Sequence, residues 1–409
     1  MRKRFNIDFA LIQAIYWMLY SAAGSFVSVI LLPKGYTNAS IGTLIAAGSV
    51  LAILLQTIIT HITDRSPKLN GIKIIELMVI LLIAAVAAVL LIGQKSMALT
   101  IAYAGVIILH TAMHPFVNAL SFTLEEAGHP VSFGIGRSMG SFAAGGISFL
   151  LGYLIVWYSP EVVLYIALVN LVLMALVIFA TDRHYQKGMA EAVSSAKASP
   201  VPAKQHAEEE KIGMLEFVGR NRMFAVMSLG VIALFFGNVI LENFTIQIVE
   251  GIGGDTTNMG VVILLLCLFE MPAMIGFHRL KQRFSYVMLL RISALFFTIK
   301  IIIMYLAHSM SAFYLAQLCQ IPGYGLFFPA MVNFIDHIMG KGEALRGQAV
   351  FTVALTLGNV IGSVAGGMIL DQYSSHTLLL AGSVISAAGS VLIISLVHRV
   401  DIFAGKRVQ

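Results

Sequence analysis

Charge is scarce in this sequence. Asp, Glu, Lys and Arg supply 11% of its 409 residues, where soluble domains carry about 25%. That is too little to cover a water-exposed surface, which excludes an ordinary soluble domain. Cysteine is scarcer still. The only two are Cys267 and Cys319, both inside apolar runs, so there is no disulfide framework and no cysteine-based metal spacing. Also missing are a nucleophile elbow, a metal-ligand cluster and a phosphate-cradling glycine loop. An enzyme is not expected, and neither a cofactor nor a metal site is expected.

Hydrophobic residues take the place of charge at 58% of the chain, gathered in blocks between short polar breaks. A helix needs about 20 apolar residues to cross a bilayer core about 30 Å thick. Blocks of that length cover residues 7–33, 39–63, 71–93, 97–123, 132–158, 160–181, 223–250, 256–280, 284–307, 311–339, 345–372 and 375–398. They predict an all-α integral membrane protein of about twelve transmembrane helices set in a lipid bilayer.

The net charge is +6, and its placement reports topology. Arg2, Lys3 and Arg4 precede the first block. Arg65, Lys68 and Lys73 border the end of the second. Arg279, Lys281 and Arg283 lie between the eighth and ninth, and Arg399, Lys406 and Arg407 trail the last. The opposite loops carry only Lys34 and Lys95. The positive-inside rule then puts both termini in the cytoplasm, with the spans in the plasma (inner) membrane. Nucleic acid is not an expected partner. The first block is too long for a signal-peptide core and is interrupted by Gln13, Trp17 and Tyr20, so it reads as a retained span.

One stretch breaks the apolar rhythm. Residues 182–222 are rich in Lys, Glu, Ala, Ser and Pro and read as a cytoplasmic linker, disordered at "VSSAKASPVPAK". It separates a first half, residues 1–181, from a second, residues 223–409, each with six spans. A weak repeat relates the halves. The fifth span, "GIGRSMGSFAAGGISFLLG", and the eleventh, "LTLGNVIGSVAGGMIL", both carry small residues every four positions: Gly136, Gly140 and Ala144, then Gly358, Gly362 and Gly366. Such stripes let helix backbones approach closely. "HPFVN" in span four and "FPAMVN" in span ten also sit at matching places. The expectation is two pseudo-symmetric six-helix halves.

Twelve spans, a central linker and the loop "ITDRSPKLNGIK" resemble the major facilitator superfamily. Asp64 and Arg65 match its inter-span loop motif, while Thr60 replaces a glycine and residues 66–70 lengthen the turn. "PFVNALSFTLEEAGHPVSFGIGRSMGS", "LFEMP", "LFFTIK" and "LAQLCQIP" resemble the lactose-permease-like branch, the oligosaccharide:proton symporters. The resemblance implies a major facilitator fold and a secondary transporter that moves a sugar or similar solute with a proton.

Ionisable groups inside a span are functional candidates, because a charge in hydrocarbon is expensive. Arg137 lies about 9 Å into span five, at 1.5 Å per residue, and Asn118 sits at a similar depth in span four. The resemblance makes Arg137 a sugar-binding arginine and puts Asn118 where the family has an acid. An uncharged amide there would leave Arg137 open to an anionic group. Snorkelling of Arg137 to the interface is the competing reading. His110, His114 and Asn118 recur every four residues and share a face, either lining a cavity or bonding helices together. Trp17 and Tyr20 share a face of span one, for stacking on a sugar ring or for packing.

In the second half, Glu242, Glu270 and Lys300 are the intramembrane charges expected to form a charge pair or carry the proton. Glu270 and Lys300 are expected to pair, directly or through water, in at least one state, with Glu242 as a second partner. Arg291 reads as an interface anchor. Gln317 and Gln320 stand where the resemblance implies a histidine and a carboxylate for proton coupling, and neither titrates. With Asn238, Asn243 and Asn333 they form an amide-rich lining suited to hydroxyl-bearing ligands.

The leading expectation is a monomeric alternating-access transporter coupling a small polar solute to protons. Proton-antiport export of amphipathic compounds, uncoupled facilitation and a non-transporting scaffold are the alternatives.

Overall fold

The computed structural model describes residues 2–65, 70–127, 131–195, 213–339 and 343–405. Of the expected linker at 182–222, residues 196–212 lie outside them, and with them most of the stretch expected to be disordered, as do residues 66–69 of the lengthened turn, Lys406 and Arg407. Residues 182–195 continue the helix Val162–Ser195, and the helix Met214–Arg220 lies within 213–222. Among the described residues every regular element is helical.

The elements are α1 (Arg2–Tyr20), α2 (Val27–Leu31), α3 (Asn38–Arg65), α4 (Gly71–Ile92), α5 (Met97–Glu125), α6 (Phe133–Trp157), α7 (Val162–Ser195), α8 (Met214–Arg220), α9 (Arg222–Asn243), α10 (Thr245–Glu250), α11 (Thr256–Arg283), α12 (Tyr286–Leu306), α13 (Met310–Ala316), α14 (Tyr324–Ile338), α15 (Ala344–Gln372) and α16 (Ser375–Gly405). Eleven are long and apolar enough to cross a membrane, counting α13–α14 as one. The first apolar block makes up to twelve as a pair bent by 49°.

Three of the described spans are not continuous. α1 passes through a π-helical turn, Ser21–Ser25, before α2. α9 and α10 part at Phe244, whose φ of −119° and ψ of 28° leave the helical region. α13 runs through a 3₁₀ turn, Gln317–Gln320, and α14 restarts only after Pro322 and Gly323. Pro322 cannot donate to the helical ladder.

The described residues form two compact units. Unit 1 is Met1–Val201 with Thr256–Cys267, and unit 2 is Pro202–Asp255 with Leu268–Gln409. α7 remains helical well past residue 181. In unit 1, α1 packs on α6 and α7, and α4 packs on α5 and α7. Six spans later the same pairings recur in unit 2: α9 on α15 and α16, and α12 on α14 and α16. This is the internal repeat expressed as packing.

The glycine stripes set these contacts. A Cβ at Gly140 would meet the Trp17 ring at 2.5 Å. A Cβ at Gly358 would meet the Ile232 carbonyl and the Phe235 Cβ at 2.8 Å. Hydroxyls add bonds between helices, as where Thr298 bonds Ser386 at 3.0 Å and Ser390 at 2.7 Å. Leu54, Ile58 and Ile62 of α3 stay exposed, as lipid-facing side chains do.

Gly358→Val should destabilise the protein by about 1–3 kcal/mol, the usual cost of overpacking. Gly146→Ala, where nothing lies within 4 Å, should be neutral. Melting curves of both variants in detergent check this, and equal melting points would refute the close-approach account.

Candidate functional site

Each unit holds its own polar constellation. In unit 1 the elements are α1, α5 and α6. Gln13 and Trp17 are one helical turn apart, so they share a face, and the Trp17 indole Nε1 donates to Gln13 Oε1 at 3.2 Å. The Gln13 amide donates onward to Asn118 Oδ1 at 3.2 Å and to the Val117 carbonyl at 3.4 Å. Asn118 Nδ2 in turn lies 3.0 Å from His114 Nε2. Around this chain the rings are layered. Tyr16 stacks on His110 at 4.5 Å and on His114 at 5.7 Å, while Trp17 meets His114 and Tyr20 edge-on.

Arg137 completes the group. Its guanidinium carbon lies 4.0 Å from the centre of the Trp17 ring, and its Nη1 donates to Ser141 Oγ at 2.9 Å. Ser141 is one turn deeper into α6. A snorkelling arginine near the start of that helix would turn back towards Phe133, and Arg137 reaches the other way. It has no ion pair among the described residues.

In unit 2 the elements are α9, α12 and the broken span α13–α14. The Lys300 ammonium is buried and donates to Gln320 Oε1 at 2.7 Å. Asn238 donates to Glu242 Oε1 at 2.7 Å. Lys300 and Glu242 interact electrostatically with each other and with Glu270. In this state, then, neutral amides hold the lysine and Glu242, and the three charges act on one another through space. A cavity of about 10 Å³ sits among Asn238, Lys300, Cys319, Gln320 and Tyr324, room for about one water. Gly325 fits α14 against the Glu270 backbone, where a Cβ would lie 2.8 Å from the Glu270 carbonyl.

The other expected lining residues bond to groups outside this cluster. Gln317 is buried, donates to the Phe313 carbonyl at 3.0 Å, and its Oε1 finds no partner among the described residues. Asn243 bonds Ser363 at 2.8 Å. Asn333 accepts from Lys281 at 3.2 Å, beside the basic end of α11. Arg291 is held by the Ile394 carbonyl at 3.1 Å. Sequence reasoning passed over Gln13 and Ser141 as members of the first group. Their spacing was the available signal: each lies four residues from Trp17 or Arg137 on the same helix.

A model of the MFS_1 like family matches residues 9–381. No curated protein matches the sequence. Among solved structures, the nucleoside transporter NupG is similar with a TM-score of 0.75 and 11% identity, over 96% of this chain and 98% of that one. The POT family transporter PepTSo gives 0.72 at 9% identity, over 98% and 99%. A bacterial homolog of the human lysosomal transporter Spinster, inward-facing and unoccupied, gives 0.60 at 13%, over 98% and 96%. At these identities the likeness is one of fold.

Gln320→Leu strips a buried ammonium of its acceptor and should destabilise by about 1–3 kcal/mol or more. Gln317→Leu, which loses only bonds to neutral groups, the Phe313 carbonyl and the Met304 sulfur, should cost less. Melting in detergent ranks the two, and the reverse order would overturn the assignment of Gln320 as the support of Lys300.

Proposed function

This chain belongs to the MFS_1 like family and is a membrane transporter of major facilitator type, not an enzyme; from that premise we propose that it accumulates a sugar or similar small polar solute together with protons. It works as a monomer by alternating access in the plasma membrane, with both termini cytoplasmic. It belongs to the lactose-permease-like branch, on the strength of the motifs around Arg137, Glu270 and Lys300.

One observation carries the proton coupling. Unit 2 holds two carboxylates and a lysine in mutual electrostatic reach, with Lys300 and Glu242 each bonded to a neutral amide. A carboxylate in such a place shifts its proton affinity with small changes in its distance to a cation and to water. Alternation between two access states supplies such changes. A Glu270–Lys300 pair made in one state and broken in the other is the simplest form of the cycle. Unit 1 supplies the solute contacts: Trp17, Tyr20, His114, Asn118 and Arg137.

The test is uptake of labelled sugars and nucleosides into proteoliposomes, with and without an inward proton gradient. Gradient-dependent accumulation is expected. Extrusion of amphipathic dyes with no uptake would replace this reading with export. Glu270→Gln, a mimic of the protonated side chain, should abolish accumulation while sparing exchange. Accumulation that survives Glu270→Gln and fails in Glu242→Gln would move the proton to Glu242.

A further inference from the structure

Arg137 stands apart from the other charges of unit 1. Each described acid of that unit whose partner is known is committed to another group. Asp8 bonds His184 Nδ1 at 2.7 Å, and Glu76 and Asp182 hold Lys73 at 3.0 and 2.8 Å. Glu125 accepts from the Val131 N–H at 3.1 Å, Glu126 from the Tyr185 hydroxyl at 3.0 Å, and Glu161 from Lys34 at 3.4 Å. The network around Arg137 consists of Trp17, Gln13, Asn118, His114 and Ser141, none of them an anion. Arg137 is partly buried, and a cation–π contact is a weak attraction that supplies no counter-charge. The stack therefore orients the guanidinium without neutralising it.

From this we infer that the transported solute carries a carboxylate, recognised in the edge of the Arg137 guanidinium. The deduction rests on the transport reading above and narrows its solute class. Stacking on Trp17 uses the face of the guanidinium, and Ser141 uses one N–H of Nη1. The remaining N–H groups lie in the guanidinium plane, in the fork that matches a carboxylate. A single arginine balances one negative charge. Other described basic residues of unit 1 lie on different elements: Arg2, Lys3 and Arg4 in the first turn of α1, Lys34 and Lys95 between helices, Arg65 and Lys73 at the end of α3 and start of α4, and Arg183 and Lys187 in the second half of α7. A monoanionic carboxylate therefore fits better than a dianionic phosphate.

A second observation supplies the rest of the solute. His110 is 5% exposed, and its Nε2 finds no partner among the described residues. Its ring stacks on Tyr16 at 4.5 Å and lies 5.6 Å from Tyr20, and both tyrosines also meet Trp17. Buried imidazole nitrogens are normally bonded. This one offers a hydroxyl group a site, so the solute is a hydroxy-acid or sugar acid rather than a purely apolar anion.

Fluorescence tests this directly. The chain has two tryptophans, and Trp157 is exposed at the end of α6, so Trp157→Phe leaves Trp17 as the sole reporter. The purified protein is titrated at constant ionic strength with glucuronate, gluconate and glycerate, and with glucose, glucitol and glycerol as neutral counterparts. At least one carboxylate should change Trp17 emission saturably, with a Kd at least tenfold below that of its counterpart. Arg137→Gln should erase that preference, and Arg137→Lys should retain only part of it. The titrations with Arg137 intact decide for or against the carboxylate on their own, whether or not the variants fold. Equal affinities within every pair, or no saturable response to any carboxylate, overturns the inference. A carboxylate preference without gradient-driven uptake would sink the coupling reading and leave the anion site standing. Uptake of neutral sugars with no carboxylate preference would do the reverse.

Discussion

Everything distinctive in this protein follows from the cost of holding a charge inside hydrocarbon. The chain resolves that cost in the same manner in both units. Arg137 lies on Trp17 and bonds Ser141. Lys300 bonds Gln320, and Glu242 bonds Asn238. In each case the partner is neutral. A salt bridge would satisfy the charge and close the site. A neutral partner solvates the charge while leaving its field available to a solute or a proton, since hydrogen bonds to neutral groups stabilise an ion without cancelling it.

The fold delivers these partners through two backbone devices. Small residues on α6 let α1 sit close enough for Trp17 to lie beneath Arg137, because a Cβ at Gly140 would occupy the space of the indole. Breaks in the broken spans do the corresponding work in unit 2. Gln320 ends the 3₁₀ turn before Pro322, and that turn puts Gln320 against Lys300 while Gln317, at its start, faces Phe313. Non-helical backbone at membrane depth is tolerated where protein or a water-filled cavity surrounds it, and the small cavity beside Lys300 and Gln320 is such a place.

The architecture was legible in the sequence because it rests on block length and block hydrophobicity, which survive without any knowledge of packing. The repeat was legible through the glycine stripes, and the same helix pairings recur in both units. The association of Asn118 with Arg137 was readable only in outline. Depth along the helix placed them level, but the link between them runs through Gln13 and Trp17 on a third helix, and no spacing rule reports the rotation of one helix against another. The amide lining was the least legible part. Asn243 and Asn333 read as cavity residues by type, yet they bond Ser363 and Lys281. Gln317 and Gln320 share a face by spacing but separate once the local helix tightens. Amides serve packing and binding equally well, so type alone does not sort them.

The pair Gln317 and Gln320 also bears on how a proton can be handled. Were Lys300 held by a carboxylate alone, protonating that carboxylate would strand a buried ammonium, and the cost would oppose the proton. Gln320 removes this penalty, because the lysine keeps its acceptor whichever form the carboxylates take. Under the proposed coupling, Glu242 and Glu270 would take up and release a proton against small changes in their distance to Lys300, and Gln320 would keep the ammonium bonded throughout.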